Sequence, residues 1–358
     1  MTNRVLIIGA GLTGLALAAG LRHRGVEPVV VEQAPEIMEA GWAIGLTDRH
    51  LTALDRVGLV DRAGWPGVRP ERHLLFDLRT GLLEHVNEAQ LPLVFSRSEL
   101  QLSFLQPVAD LVRTGVRPAE LVDLGDGVRV RFDDGSSATF DAVIGADGIN
   151  SWTRRVALDG PEAGYTSCGV VRFHVPNVDS LRVAALGIGD GAALAYFVIN
   201  GGKTLHGIVF LPGPPGNRAE LGLAELADLF PGAPGPLASL CRLMRTDARA
   251  FYTNINEAVV ERWTRNRVAV MGDAAHAMSP MLGQGAGVGF EDAALLADLL
   301  AMPDLPVPQA LASYERIRKP AAQRVQRLAR HTTEIVGSDP DNYFSTLLSS
   351  VDPKAVSV

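Results

Sequence analysis

Hydrophobic positions along the chain fall into a few well-separated patterns. Residues 4–8, Arg4-Val5-Leu6-Ile7-Ile8, form a short β-branched run that breaks at a glycine-rich turn. Residues 15–24 then read as a helix stopped by Gly25, and Val29-Val30-Val31 reads as a second strand ending in Glu32. Residues 128–132 alternate, turn at Asp133-Asp134-Gly135 and return toward Ala142-Val143-Ile144, a hairpin feeding a buried strand. Arg267-Val268-Ala269-Val270-Met271 is a further short strand, followed by a glycine loop and a helix over about 288–300.

Between Arg154 and Arg267 the pattern changes. Residues 167–175, 192–200 and 204–211 read as strands, with turns at Asp190-Gly191 and Gly201-Gly202, the second a strong hairpin signal. A proline- and glycine-rich stretch over 212–217 leads to a helix near 221–229. Residues 311–335 carry arginines and apolar residues at helical spacing, which predicts one long helix or two, kinked or split at Lys319-Pro320. Residues 338–358 read as a loose tail.

Composition narrows the classes. The chain has 358 residues, 33 basic and 40 acidic side chains and a formal charge of −7, which is ordinary globular composition with room for a sizeable core. Its arginines are scattered and form no basic stripe, which speaks against nucleic-acid binding. The two cysteines, Cys168 and Cys241, rule out a disulfide scaffold and suit a reducing, cytoplasmic setting. The uncharged stretch over 5–21 imitates a secretory signal, but four glycines interrupt it and a strand follows; it reads as a buried strand and helix. No hydrolytic triad or metal-ligand spacing is present, and no stable membrane association is expected.

The first glycine turn reads Gly9-Ala10-Gly11-Leu12-Thr13-Gly14. In a strand–turn–helix setting Gly9 permits the tight turn, Gly11 lets the backbone approach a pyrophosphate, and Gly14 allows close helix–strand packing. The helix N-terminus offers unpaired N–H groups to the phosphates, and Glu32 is placed to accept from ribose hydroxyls. Spacing alone leaves NAD and FAD open. Two later strands also end in glycine–aspartate pairs, at Asp147-Gly148 and at Gly272-Asp273, where α/β sheets place ligands.

With these motifs in order, the chain resembles the class A flavoprotein monooxygenases, the aromatic hydroxylases related to p-hydroxybenzoate hydroxylase. The resemblance implies FAD as cofactor, NADPH or NADH as a transient reductant, and O2 and a small molecule as substrates. Gly9 to Gly14 with Glu32, followed by Gln33 where a basic residue often stands, are similar to the family's ADP-binding fingerprint. Arg97 is similar to an arginine near the phosphates and ribityl chain, and Asp147-Gly148 with Ser151 and Arg154 matches D-G-x-x-S-x-x-R. Asp273 would hold a ribityl hydroxyl. Pro280, Gly283, Gly285, Ala286 and Gly287 would line the flavin ring ahead of a helix N-terminus, which suits charge near N1 and O2.

The implied fold is α/β: a Rossmann-like FAD-binding domain assembled from separated segments (1–71, 94–158, 262–337), an inserted antiparallel-sheet substrate domain (72–93, 159–261) and C-terminal helices. The implied reaction hydroxylates or epoxidises an aromatic or polyketide-like molecule through a flavin C4a-hydroperoxide, as in secondary metabolism. A redox-neutral cyclase or isomerase and a non-catalytic flavin protein stay open as alternatives. So does the choice between monomer and homodimer.

The substrate side is less marked. Arg172 and His174 lie two apart and share one strand face, either a pocket wall or, by the default for a half-buried strand, solvent. Tyr196 and His206 are further pocket candidates, and no catalytic side chain stands out. His276 is assigned orientation rather than proton transfer. Trp42 departs from the family's usual pattern and is expected either to pack over the adenosine or a loop, or to crowd the path of the flavin. Gly287 stands where many relatives have asparagine.

Overall fold

A computed structural model describes residues 3–37, 42–59, 67–88, 91–189, 191–246 and 249–336, with 339, 342 and 346. Asp190 of the expected turn, and most of the expected tail, lie outside the described residues.

The first sheet has six short strands: β1 (Val5–Ile8), β2 (Val29–Glu32), β7 (Val112–Thr114), β11 (Ala142–Gly145), β17 (Thr264–Arg265) and β18 (Val268–Val270). Their order is β17-β18-β11-β1-β2-β7, parallel except for β17. β1, β11 and β18 are buried along their whole length, as strands covered on both faces must be. Helices α1 (Leu12–His23) and α8 (Gly285–Ala301) pack against this sheet and each other. Their closeness depends on small residues: a Cβ on Gly20 would lie 2.9 Å from the Ala297 methyl, and one on Gly289 only 2.8 Å from the Thr13 hydroxyl.

The second sheet has seven strands: β4 (His73–Asp77), β5 (Leu82–Asn87), β12 (Gly164–Pro176), β13 (Ala184–Gly189), β14 (Ala192–Ile199), β15 (Thr204–Pro212) and β16 (Ala250–Glu257). Their order is β16-β12-β15-β14-β13-β4-β5, antiparallel except where β13 runs alongside β4. Its outer face, with Phe173, Leu194, Tyr196 and Val209, packs under α5 (Leu223–Ala227) and α6 (Pro236–Met244). Its inner face carries Leu75, Leu186, Ala195 and Phe210 and meets Met281 and Val336 from the other half of the molecule. Two smaller sheets complete the strands: β8 (Pro118–Asp123), β9 (Val128–Phe132) and β10 (Ser137–Phe140), and the pair β3 (Ala43–Leu46) with β6 (Leu93–Ser96). The remaining helices are α2 (Asp48–Arg56), α3 (Arg97–Leu105), α4 (Trp152–Leu158), α7 (Asp273–His276) and α9 (Val307–Ile335).

The observed architecture is the mixed α/β class expected, with three departures. Helix α9 runs through Pro320 without splitting. Pro320 lies on the exposed side, where freed carbonyls reach water, while Tyr314, Ala322, Val325 and Ala329 hold the other side in the core. Helix α8 starts three residues earlier than its apolar pattern, so Gly285 to Gly287 form its first turn. Helix α6 was hidden because Pro236 at its start is an N-terminal helix residue rather than a breaker. Among the described residues no helix is long and apolar enough to cross a membrane.

Candidate functional site

The three glycine motifs come together because their strands are neighbours. Ile8 pairs with Gly145 and Gly145 with Val270, so Gly9, Ala146 and Met271 leave the sheet side by side at its carboxyl edge. Gly9 has φ +106°, and a Cβ there would lie 2.4 Å from the Ala146 carbonyl oxygen. A Cβ on Gly14 would lie 2.0 Å from the Gly9 carbonyl oxygen, whereas nothing stands within 4 Å of one on Gly11. Two glycines are therefore enforced by backbone contact, and the third faces open space. Leu12 is buried, and Thr13 seats its side chain against Gly272 and Gly289, which locks the first motif to the third.

Glu32 ends β2 beside this turn. Its carboxylate accepts from Ala10 N and Ala34 N, both at 2.9 Å, which fixes it at the loop edge; Gln33 next to it is exposed. Asp147 accepts from the Ser151 hydroxyl and from Thr153 N and Oγ1, both at 2.9 Å, and Gly148 turns with φ +74°. Arg154, read from the sequence as a cofactor contact, is instead fully buried. It donates to the carbonyls of Pro161 (2.7 Å), Ala274 (3.1 Å) and Ile149 (2.6 Å), and so braces the second motif against α7.

Asp273 opens α7 with its side chain exposed, and a Cβ on Gly285 would lie 4.0 Å from its Oδ1. Burial pulls the Arg97 guanidinium below its ordinary range, and the nearby Asp273 carboxylate opposes that pull. Pro280 is exposed, Gly283 turns at φ +63° into open space, and the first turn of α8, with Gly285, Ala286 and Gly287, contains no acidic residue. Its unpaired N–H groups face this loop with the positive end of the helix dipole behind them. An open glycine at each helix start, Glu32, and Arg97 in the neighbourhood of Asp273 fit a dinucleotide with a flavin at one end.

Three residues that sequence reading passed over support this edge. The buried His50 fills the space beside Gly287, where a Cβ would lie 2.2 Å from its ring, and it bonds Gln284 of the same loop. Burial and the neighbouring Arg49 push its pKa down to about 3, so it is neutral. Asp292, fully buried in α8, accepts from Gly272 N (3.1 Å), from Arg318 Nε (2.8 Å), and bonds His276 Nε2 (2.6 Å). His276 is accordingly turned into the interior, under Trp263, and away from the loop opening. The side chains of Asp292 and Arg318 lie 26 positions apart and left no local signal.

The opposing wall is the inner face of the seven-stranded sheet. Cross-strand register puts His174 beside His206, His206 beside Phe197, and Phe251 beside Arg172. The Trp42 ring lies on this wall, 5.4 Å from His174, 5.7 Å from His206 and 6.1 Å from Phe251, rather than over the adenosine side. Its carbonyl accepts from Arg97 N at 2.8 Å, so one residue spans both halves of the site. Arg172 and His174 share this face, Arg172 half-buried and His174 exposed at its edge, so the solvent reading holds for His174 while Arg172 is partly covered. Tyr196 is removed from the candidates. It pairs with Gly207, one step out of phase with His206, and is buried on the outer face under α5 and α6. Among the described residues no cluster of three metal ligands occurs.

Known proteins match this arrangement over most of the chain. The family described as FAD binding domain matches residues 2–182 and 246–329. The 3-amino-4-hydroxybenzoate 2-monooxygenase of Streptomyces cremeus is 33% identical, covering 92% of this chain and 87% of that protein. The 2-heptyl-3-hydroxy-4(1H)-quinolone synthase of Pseudomonas aeruginosa is 31% identical over 90% and 87%. Among solved structures, Klebsiella pneumoniae HpxO complexed with FAD and uric acid superposes with a TM-score of 0.81 at 26% identity, covering 97% of this chain and 92% of that one. The chain belongs to the FAD-binding-domain family, as a class A FAD-dependent monooxygenase of the aromatic hydroxylase type.

Proposed function

We propose that the protein uses NADPH or NADH and O2 to hydroxylate or epoxidise an aromatic or polyketide-like small molecule held between the two sheets. The observation that carries this reading is the bridge through Trp42. Its main chain binds Arg97 beside Asp273, and its ring rests on the wall bearing His174 and His206. The cofactor end and the substrate wall are thus parts of one site. The names of the relatives, which include aminohydroxybenzoate and quinolone enzymes, support an aromatic ring.

When bound, FAD would supply the hydride-accepting and O2-activating chemistry. The chain supplies the rest. Gly11 and the N–H groups of α1 would hold the pyrophosphate, Glu32 the ribose, and Arg97 and Asp273 the ribityl and phosphate region. The N–H groups opening α8 stabilise negative charge on the ring. Leu186, Ala195 and Phe210, in the apolar part of the wall, keep water from the reacting carbon. No side chain is required to perform the oxidation, which explains the absence of a catalytic constellation in the sequence.

Anaerobic reduction tests the reading: a yellow protein bleached by NADPH or NADH, then turnover under isotope-labelled O2 with label in the product. Flavin that stays oxidised under both donors would overturn it in favour of redox-neutral chemistry. Asp273→Ala is expected to weaken FAD about 10- to 100-fold, the loss of a hydrogen bond made by a charged group. Fluorescence titration of the apoprotein checks this, and unchanged affinity would remove Asp273 from the cofactor site.

A further inference from the structure

Glycine weakens a helix, and Gly287, in the first turn of α8, has no left-handed φ that would require it. Its reason lies in a neighbouring element. The three atoms nearest a Cβ at 287 all belong to the His50 ring, Nδ1 at 2.2 Å and Cε1 and Cγ at 2.3 Å. His50 is fully buried, and its Nδ1 lies 3.3 Å from both the amide nitrogen and the hydroxyl of Thr47 at the start of α2, so the ring is held in place. One turn further along α8, Glu291 pairs with Arg49 at 2.6 Å, which fastens the two helices a second time. The space of a side chain missing from α8 is filled from α2.

Gln284 is unusual in a related way. It stands at the cap position of α8, from which a side chain ordinarily bonds back to the free amides of its own helix, yet it makes no such bond. Its side chain bonds His50 instead. The first bond within the helix runs from Val288 N to the Gln284 carbonyl at 3.0 Å, so the amides of Gly285, Ala286 and Gly287 have no partner inside α8. Burial, with Arg49 and Arg318 nearby, keeps His50 neutral, so it holds Gln284 without adding charge to the loop.

We infer that His50 is a positioning residue of the flavin site: it fills the space beside Gly287 and draws the Gln284 side chain off the start of α8, which leaves the amides of the first turn open to the cofactor. Without this hold, Gln284 folds back and caps the helix in competition with the flavin. The reduced ring, with negative charge near N1 and O2, loses more by that competition than the oxidised ring. The inference rests on the placement of FAD in the proposed function.

The test is the midpoint potential of bound FAD, set with dithionite against a reference dye, so that neither a nicotinamide nor turnover enters. His50→Leu fills the same space without the hydrogen bond. It is expected to weaken reduced relative to oxidised flavin about tenfold, a potential about 30 mV lower for two electrons, with Tm close to the wild type. His50→Gln, which can still bond Gln284, should keep the wild-type potential. Adding Gln284→Ala to His50→Leu removes the competing side chain and should bring the potential back. Packing is read separately: Gly287→Ala alone should lower Tm and shed FAD, whereas in a His50→Ala background the same methyl should raise Tm. A wild-type potential in His50→Leu, a shift that Gln284→Ala does not reverse, or equal damage by Gly287→Ala in both backgrounds would overturn the inference. The expected shifts in a protein whose flavin neither NADPH nor NADH reduces would sustain it while refuting the monooxygenase reading.

Discussion

Replacing Asp292 with alanine is expected to cost about 3–5 kcal/mol of folding stability and, with it, retention of FAD. The carboxylate is fully buried and holds Arg318, His276 and the Gly272 amide at once. Truncation leaves a guanidinium without its main partner inside the protein and frees the amide that sets the turn before Asp273. Burial works to raise the Asp292 pKa, but His276 and Arg318 together hold it below its ordinary 3.8. Its contribution is therefore complete above about pH 4 and drains away as acid titrates the group through its lower folded value. Urea midpoints of the wild type, Asp292→Ala and Asp292→Asn at neutral pH measure the effect, and a wild-type midpoint for the alanine variant would refute it. The asparagine variant keeps the shape but loses the charge, and should fall between the two and show less acid sensitivity.

Gly14→Ala should be the most damaging single-methyl addition in the cofactor loop. The new carbon would lie 2.0 Å from the Gly9 carbonyl oxygen, and Gly9 has nowhere to go because it already abuts Ala146. Both obstacles are main chain, so no rotamer change relieves them. Overpacking of this kind costs about 3 kcal/mol, and widening the turn also displaces the N–H groups that meet the pyrophosphate. Thermal unfolding and bound-flavin absorbance measure the two losses. Gly25→Ala is the control: its φ of +78° strains an alanine, but nothing lies within 4 Å, so stability falls by about 1 kcal/mol with FAD content unchanged. Equal flavin loss in both variants would show that Gly14 has no special place in the site.

The sequence disclosed what is local. Strand, glycine turn, helix and acid lie within the first 32 positions, and each step has its own signal, so β1 and β2 were read nearly to the residue, while α1 starts three residues earlier than its apolar pattern, inside the glycine motif. The other two motifs were legible for the same reason, as apolar strands that stop at a glycine and an aspartate. Side-chain direction on the second sheet was harder. Alternation says that Arg172 and His174 share a face, but only the packing of that sheet against Met281 and Val336 says which face is inward. Tyr196 and His206 looked alike until register put them on opposite sides. His50, Asp292 and Arg318 carried no signal, because their partners become neighbours only when α2, α8 and α9 assemble. Pro320 misled in the other direction, since a proline on the wet side of a helix removes little that water does not replace.

The strand order of the first sheet bears on how the chain is made. β1 is made well before its neighbour β11, which arrives at residue 142, and the other parallel partner of β11, β18, arrives only at 268–270. Until then β11 presents an unpaired, wholly apolar edge. A nascent chain shorter than about 270 residues also lacks Asp273 and the start of α8, so FAD cannot stabilise it. The protein must keep a sticky strand out of trouble while about 120 further residues are added, and flavin capture follows the pairing of β11 with β18 rather than guiding it.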